Sequence, residues 1–137
     1  MQKAIIKYLP VILLFGLILF SSCEKKLDKV LTIDEGAWLA NVTTTVIEHD
    51  YSDHTEHRYA MYRIRFDKDG TGKKGAEVLD TDFTWKLKKE ELQLSFDDNV
   101  LPYKLISRST EKMVWEKSYK ANGDFATVII KLELIRL

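Results

Sequence analysis

The 137-residue sequence is poor in residues that break or stiffen a backbone, with 2 Pro and 6 Gly, and it has a single Cys. That scarcity excludes a collagen-like or low-complexity chain, and one cysteine cannot pair within its own chain, so a disulfide framework is excluded too. Net charge is also missing, since 21 basic side chains face 21 acidic ones. A nucleic-acid footprint normally needs a basic stripe, which argues against nucleic acid as a partner. Catalytic signatures are lacking as well. No serine sits in a Gly-x-Ser-x-Gly elbow and the three histidines are confined to one loop, which leaves no nucleophile and base to pair. A non-enzymatic protein without a cofactor is the expectation.

The apolar residues are unevenly spread. Lys3 and Lys7 precede Val11 to Phe20, an apolar run without a charge, and Ser21-Ser22-Cys23 follows. A transmembrane helix needs about 20 predominantly apolar residues, whereas charge, apolar core and small residues in that order follow the secretory pattern. The alternative is an N-terminal membrane anchor. Leu19-Phe20-Ser21-Ser22-Cys23 resembles the lipobox of bacterial lipoproteins, with Phe20 where an aliphatic residue is usual. That resemblance implies a signal peptide over residues 1–22, cleavage before Cys23, and a thioether-linked diacylglycerol on Cys23 with an acyl chain such as palmitate on its amine. Glu24 stands where an aspartate commonly retains such proteins at the inner membrane, so the outer membrane of the cell envelope is implied, facing either the periplasm or the exterior. Two or more chains, at roughly 0.8 kcal/mol per buried methylene, hold a protein stably on a membrane. Removing residues 1–22 takes away two lysines and no acid, leaving 115 residues with a formal charge of −2. Residues 23–33, with the charged stretch Glu24 to Lys29, read as the lipidated N-terminus and a tether. Residues 34–137 read as one domain, with enough chain for a single core.

That domain alternates with period two. Trp38 to Glu48 is dense in β-branched residues, which suit a pleated surface better than a helix. Tyr62, Ile64 and Phe66 share one face, as do Phe83, Trp85 and Leu87, then Leu92, Leu94 and Phe96. Tyr103 and Leu105, Met113 and Trp115, and Val128, Ile130, Leu132 and Leu134 continue the theme. Asp69-Gly70 and Asn122-Gly123 are strong hairpin signals. Roughly seven or eight strands at this spacing specify an all-β sandwich or barrel. Short turns between successive strands favour an antiparallel up-and-down barrel of about eight strands, with a β-sandwich as the alternative. One helical signature is present, the capping-box spacing of Thr32 and Glu35 with Gly36 limiting it to a turn or two. Ser109 to Lys120 could be read as a helix, but Met113 and Trp115 fit a strand as well.

Residues 34–137 resemble the lipocalin-like domains of many Bacteroidetes lipoproteins. The likeness rests on Gly36-Ala37-Trp38 at the start of the first strand, Phe66-Asp67-Lys68-Asp69-Gly70-Thr71-Gly72 closing the second, Phe83-Thr84-Trp85 followed by Leu92-Gln93-Leu94, and a terminal apolar strand ending at Leu137. It implies a barrel whose closed end is plugged by Trp38. Thr81-Asp82-Phe83 sits earlier than the comparable Thr-Asp-Tyr motif of lipocalins, and no room remains for their flanking helix.

Three features carry candidate chemistry. The inward face gathers Trp38, Tyr62, Phe66, Phe83, Trp85, Phe96, Tyr103 and Trp115, which either line a pocket for a small apolar ligand or fill a narrow barrel. His49, His54 and His57 lie in one loop between two strands, where they could converge on zinc or copper, although a solvated polar loop explains the same residues. Asp67-Lys68-Asp69-Gly70 lacks the later ligands of a calcium loop and reads as a hairpin turn with Lys73-Lys74 as its solvated flank. Two functions stay open: a lipid-anchored binding module for a small apolar molecule, and an interaction lipoprotein that engages an envelope protein or glycan without an internal ligand.

Overall fold

The structure, a computed structural model, describes residues 26–49 and 54–137. Cys23 and the expected signal peptide of residues 1–22 lie outside the described residues. A short helix α1 (Leu27–Thr32) leads into eight strands: β1 (Ala37–Glu48), β2 (Thr55–Phe66), β3 (Thr71–Gly75), β4 (Thr81–Lys88), β5 (Glu91–Phe96), β6 (Asn99–Arg108), β7 (Lys112–Ala121) and β8 (Ala126–Arg136). Each strand is antiparallel to the next, and β8 pairs back with β1, so the sheet closes into an up-and-down barrel. The sandwich alternative is thereby excluded, because one continuous ring leaves no second sheet to pack on. Ser109 to Lys120 falls largely in β7 and is not a helix.

Alternation fixes the register. Trp38 stands opposite Ile64 on β2 and Arg136 on β8, and Trp115 opposite Leu105 on β6 and Leu132 on β8. Directly opposed residues share a face, so each apolar set points inward together. Trp38, Ile64, Phe66, Leu92, Leu94, Met113, Trp115, Leu132 and Leu134 are buried. Slipping one strand by a single residue would turn its whole apolar set to water. Turn chemistry supports the same register: Gly70 N donates to Asp67 O, Asp67 N donates to Thr71 O, and Asn122, Gly123 and Asp124 all adopt positive φ. The strands are uneven in length. β1 pairs over eleven positions with each neighbour, while the five-residue β3 pairs over four with each of its own.

One end of the barrel is sealed. Val30 and Leu31 of α1 are buried against the core, at about 1.5–3 kcal/mol for each fully buried side chain. Residues 27–32 belong to the stretch expected as tether, and they form part of the folded unit instead. The capping-box expectation is corrected here. Thr32 ends α1, its Oγ1 donating to the Asp28 carbonyl, and the chain then makes a left-handed turn with Asp34, Glu35 and Gly36 all at positive φ. A box needs an extended residue followed by right-handed helix, and the backbone after Thr32 turns the other way. Gly36 has no alternative, since a Cβ there would run into the Phe66 carbonyl oxygen.

Candidate functional site

The closed end takes up much of the aromatic set. Trp38 Nε1 donates to the Leu31 carbonyl at 2.9 Å, which pins α1 across the bottom of the barrel. Arg136 lays its guanidinium 4.4 Å from the centre of the Trp38 ring. Its Nε donates to Thr110 O at 2.6 Å, with longer contacts at 3.4 Å to Ile33 O and Val30 O. Trp85 Nε1 donates to Thr71 O at 2.9 Å and Asp67 O at 3.1 Å, tying β4 to the β2–β3 turn. Phe66 meets Phe83 and Trp85 edge to face at 5.7 and 5.6 Å. Of the eight aromatics expected to line a pocket, Trp38, Phe66, Phe83, Tyr103 and Trp115 are therefore buried.

Tyr62, Phe96 and Tyr103 lie farther from that end. Tyr62 lies on the inner wall beside the end of β3, Phe96 at the β5–β6 connection and Tyr103 midway along β6, with Tyr62 and Phe96 half-buried and Tyr103 buried. Burial pushes the Tyr62 hydroxyl up to about 12, with the neighbouring Tyr103 phenol opposing its ionisation as well. Burial raises Tyr103 too. Both phenols consequently keep their protons, and so their capacity to donate, through the neutral range.

Lys74 is the inner-wall residue that its sequence context places wrongly. Read as a solvated flank of the turn, it pairs with the inward-facing Ile64, two residues beyond Gly72, whose missing side chain makes room for the Phe83 ring. The same face therefore carries Lys74 inward. Its ammonium lies 4.9 Å from the Tyr62 ring centre and 4.5 Å from that of Phe96. Lys73, one residue earlier, points outward and pairs with Asp82 at 2.9 Å. The available signal was the period of two, which puts Lys74 on the face of the glycine that admits an aromatic ring.

The histidines are held apart. His49 Nε2 shares a hydrogen bond with Thr127 of β8 at 3.1 Å, and His57 Nδ1 shares one with Thr45 of β1 at 3.1 Å. His54 is exposed just before β2. No group of three or more His, Cys, Asp or Glu placed to hold a metal occurs among the described residues; Asp50 and Asp53 lie outside them. At Asp69 the Thr71 hydroxyl and amide both donate to the carboxylate and hold it below its ordinary range, as a turn-closing aspartate requires.

Several cavities lie outside the barrel. One of about 850 Å³ is bounded by α1, the left-handed turn and Phe66 to Lys68, and another of about 870 Å³ by α1, Gly70, Trp85 and Arg108. A third, of about 470 Å³, runs along the outer wall beside Tyr59 and Met61. Comparison of the chain with protein-family models and with curated proteins finds no match.

Proposed function

We propose that this chain is an outer-membrane lipoprotein, anchored through Cys23, whose lipocalin-like barrel binds a small, largely apolar molecule at its open end without catalysing a reaction. The supporting observation is the contrast between the two ends. One is packed with buried side chains under α1, while the other leaves Tyr62 and Phe96 half-buried around an inward-facing lysine. Barrel mouths and aromatic linings are favoured ligand sites because they remove much apolar area from water at once. The site on this reading is a shallow bowl, since the rings below it already fill the interior.

Native mass spectrometry of the protein extracted from its own envelope tests the binding. A co-purifying small molecule is expected, and the mass of the lipidated polypeptide alone across several preparations would overturn it. The anchor is tested separately: Cys23→Ala should abolish lipid incorporation and leave the chain uncleaved, 22 residues longer, and lipid incorporation that persists in the variant would overturn the assignment.

A second reading has its own support on the outer wall, where Tyr59 is 76% and Met61 65% exposed beside the outer cavity. Contiguous apolar surface of this kind marks interaction sites. A photo-crosslinker at position 59 that repeatedly traps one envelope protein, with no small molecule in the barrel, would favour this interaction role.

A further inference from the structure

The inner wall is unbalanced in its polar groups. Three indole N–H groups lie in the barrel, and two of them, on Trp38 and Trp85, find carbonyl acceptors at the closed end. The third, on Trp115, is buried without a partner among the described residues. Lys74 has no carboxylate or carbonyl in reach among the described residues, only the faces of Tyr62 and Phe96. The acids that share the inward register of β1 and β2, Glu48 and Glu56, stand at the far ends of those strands, and Glu56 is engaged by Arg58 at 2.9 Å. The Tyr62 and Tyr103 hydroxyls can donate as well. The interior thus offers donors and cations, since Arg58 and Lys117 share the inward register with Lys74, and few acceptors to meet them.

A half-buried ammonium loses hydration, and two ring faces return only part of it. An orphaned indole N–H deepens the deficit. The Lys74 ammonium and the two phenol hydroxyls are met by the same chemical partner, an anionic acceptor attached to an apolar body.

We propose that the molecule bound in the mouth is an amphipathic anion, its carboxylate or comparable oxyanion held by Lys74 with the Tyr62 and Tyr103 hydroxyls, and its apolar body against Phe96. This rests on the ligand-binding reading above and specifies the ligand's charge and orientation. The head group points into the barrel toward Lys74.

The test uses the full chain in lipid nanodiscs, with empty nanodiscs as the blank, and a matched pair of probes: 2-naphthoate, and its neutral counterpart 2-naphthalenemethanol. Charge-assisted contacts are about twice as strong as neutral ones, so naphthoate should bind about tenfold more tightly than the alcohol. Lys74→Met should erase that preference by weakening naphthoate alone, and Lys74→Arg should keep it. Near-UV circular dichroism confirms that each variant retains the native core. Equal binding of both probes, unaltered in Lys74→Met, would overturn the anion site while leaving an apolar pocket standing. Failure of both probes to bind would overturn the pocket and the anion site together.

Discussion

Replacing Arg136 with methionine should destabilise the domain by about 3 kcal/mol, although Arg136 is the last residue of β8. Its side chain is only 8% exposed. Four separate pieces of chain meet on it: Trp38 of β1 beneath the guanidinium, Thr110 in the β6–β7 turn, Ile33, and Val30 of α1. The 2.6 Å bond to Thr110 involves a charged donor and is worth about 2 kcal/mol. A cation over a partly desolvated indole adds about 1 kcal/mol, while the two contacts at 3.4 Å add little. The ion pair with Asp34, at 3.7 Å and 77% exposed on the acid's side, adds little either. Methionine keeps an unbranched apolar stem, so the loss isolates the guanidinium. At roughly 4–8 °C per kcal/mol for a domain of this size, the thermal midpoint should fall by about 15 °C. Urea unfolding would show a lower midpoint at unchanged slope. Arg58→Met is the matched control, because Arg58 is exposed and, among the described residues, pairs with Glu56, and its midpoint should stay in place. Arg136→Lys should recover part of the loss, having the charge without the planar fork. A loss below about 1 kcal/mol for Arg136→Met, or one equal to the Arg58 control, would refute the assignment of Arg136 as the clasp of the closed end.

Gly36→Ala should cost roughly 2–3 kcal/mol, combining the left-handed penalty with displacement of the Phe66 carbonyl, as read by the same urea titration; a change within experimental scatter would contradict the close approach. Tyr62 holds its proton more tightly in the fold than in the unfolded chain, so its stabilising contribution is complete below pH 10 and is lost as pH rises from 10 toward about 12, by roughly 2 kcal/mol. Tyr62→Phe should flatten that alkaline decline, and an unchanged decline would show that the hydroxyl is better hydrated than its burial implies. Titration with zinc should give no saturable heat, because His49 and His57 are each engaged by a threonine of a neighbouring strand; saturable heat abolished by His54→Ala with His57→Ala would reverse this.

Period-two alternation made the barrel legible, since one-faced strands such as 83–87 and 92–96 leave a sheet no stable option but closure or stacking. The choice between those two depended on β8 finding β1, a pairing between residues 78 to 98 positions apart that no local pattern encodes. The helix was misjudged for a local reason. Thr32 and Glu35 have the spacing of a cap, but three successive positive φ values are imposed by the fit of Gly36 against β2, and tertiary packing overrode the motif. Among site residues, Tyr62, Phe96 and Tyr103 could be found from alternation alone. Lys74 was obscured by its neighbours, because Thr-Gly-Lys-Lys-Gly has the composition of a turn while its backbone is a strand. Whether a given inward ring packs or stays half-exposed depends on which strands run past it, which only the assembled barrel determines.

A ring is only as secure as its shortest joint. β3 joins β2 and β4 through four paired positions on each side, as few as the bulged β6–β7 pair and against eleven for each side of β1, so separation there breaks few hydrogen bonds. Parting at that seam would turn an edgeless sheet into an open one, with the rim of β2 or β4 available as a template for another chain. The same five residues carry the lysine that faces the mouth, and an occupant gripping Lys74 from inside would brace the seam against opening. Carrying a cargo and resisting self-association would then be two effects of one strand.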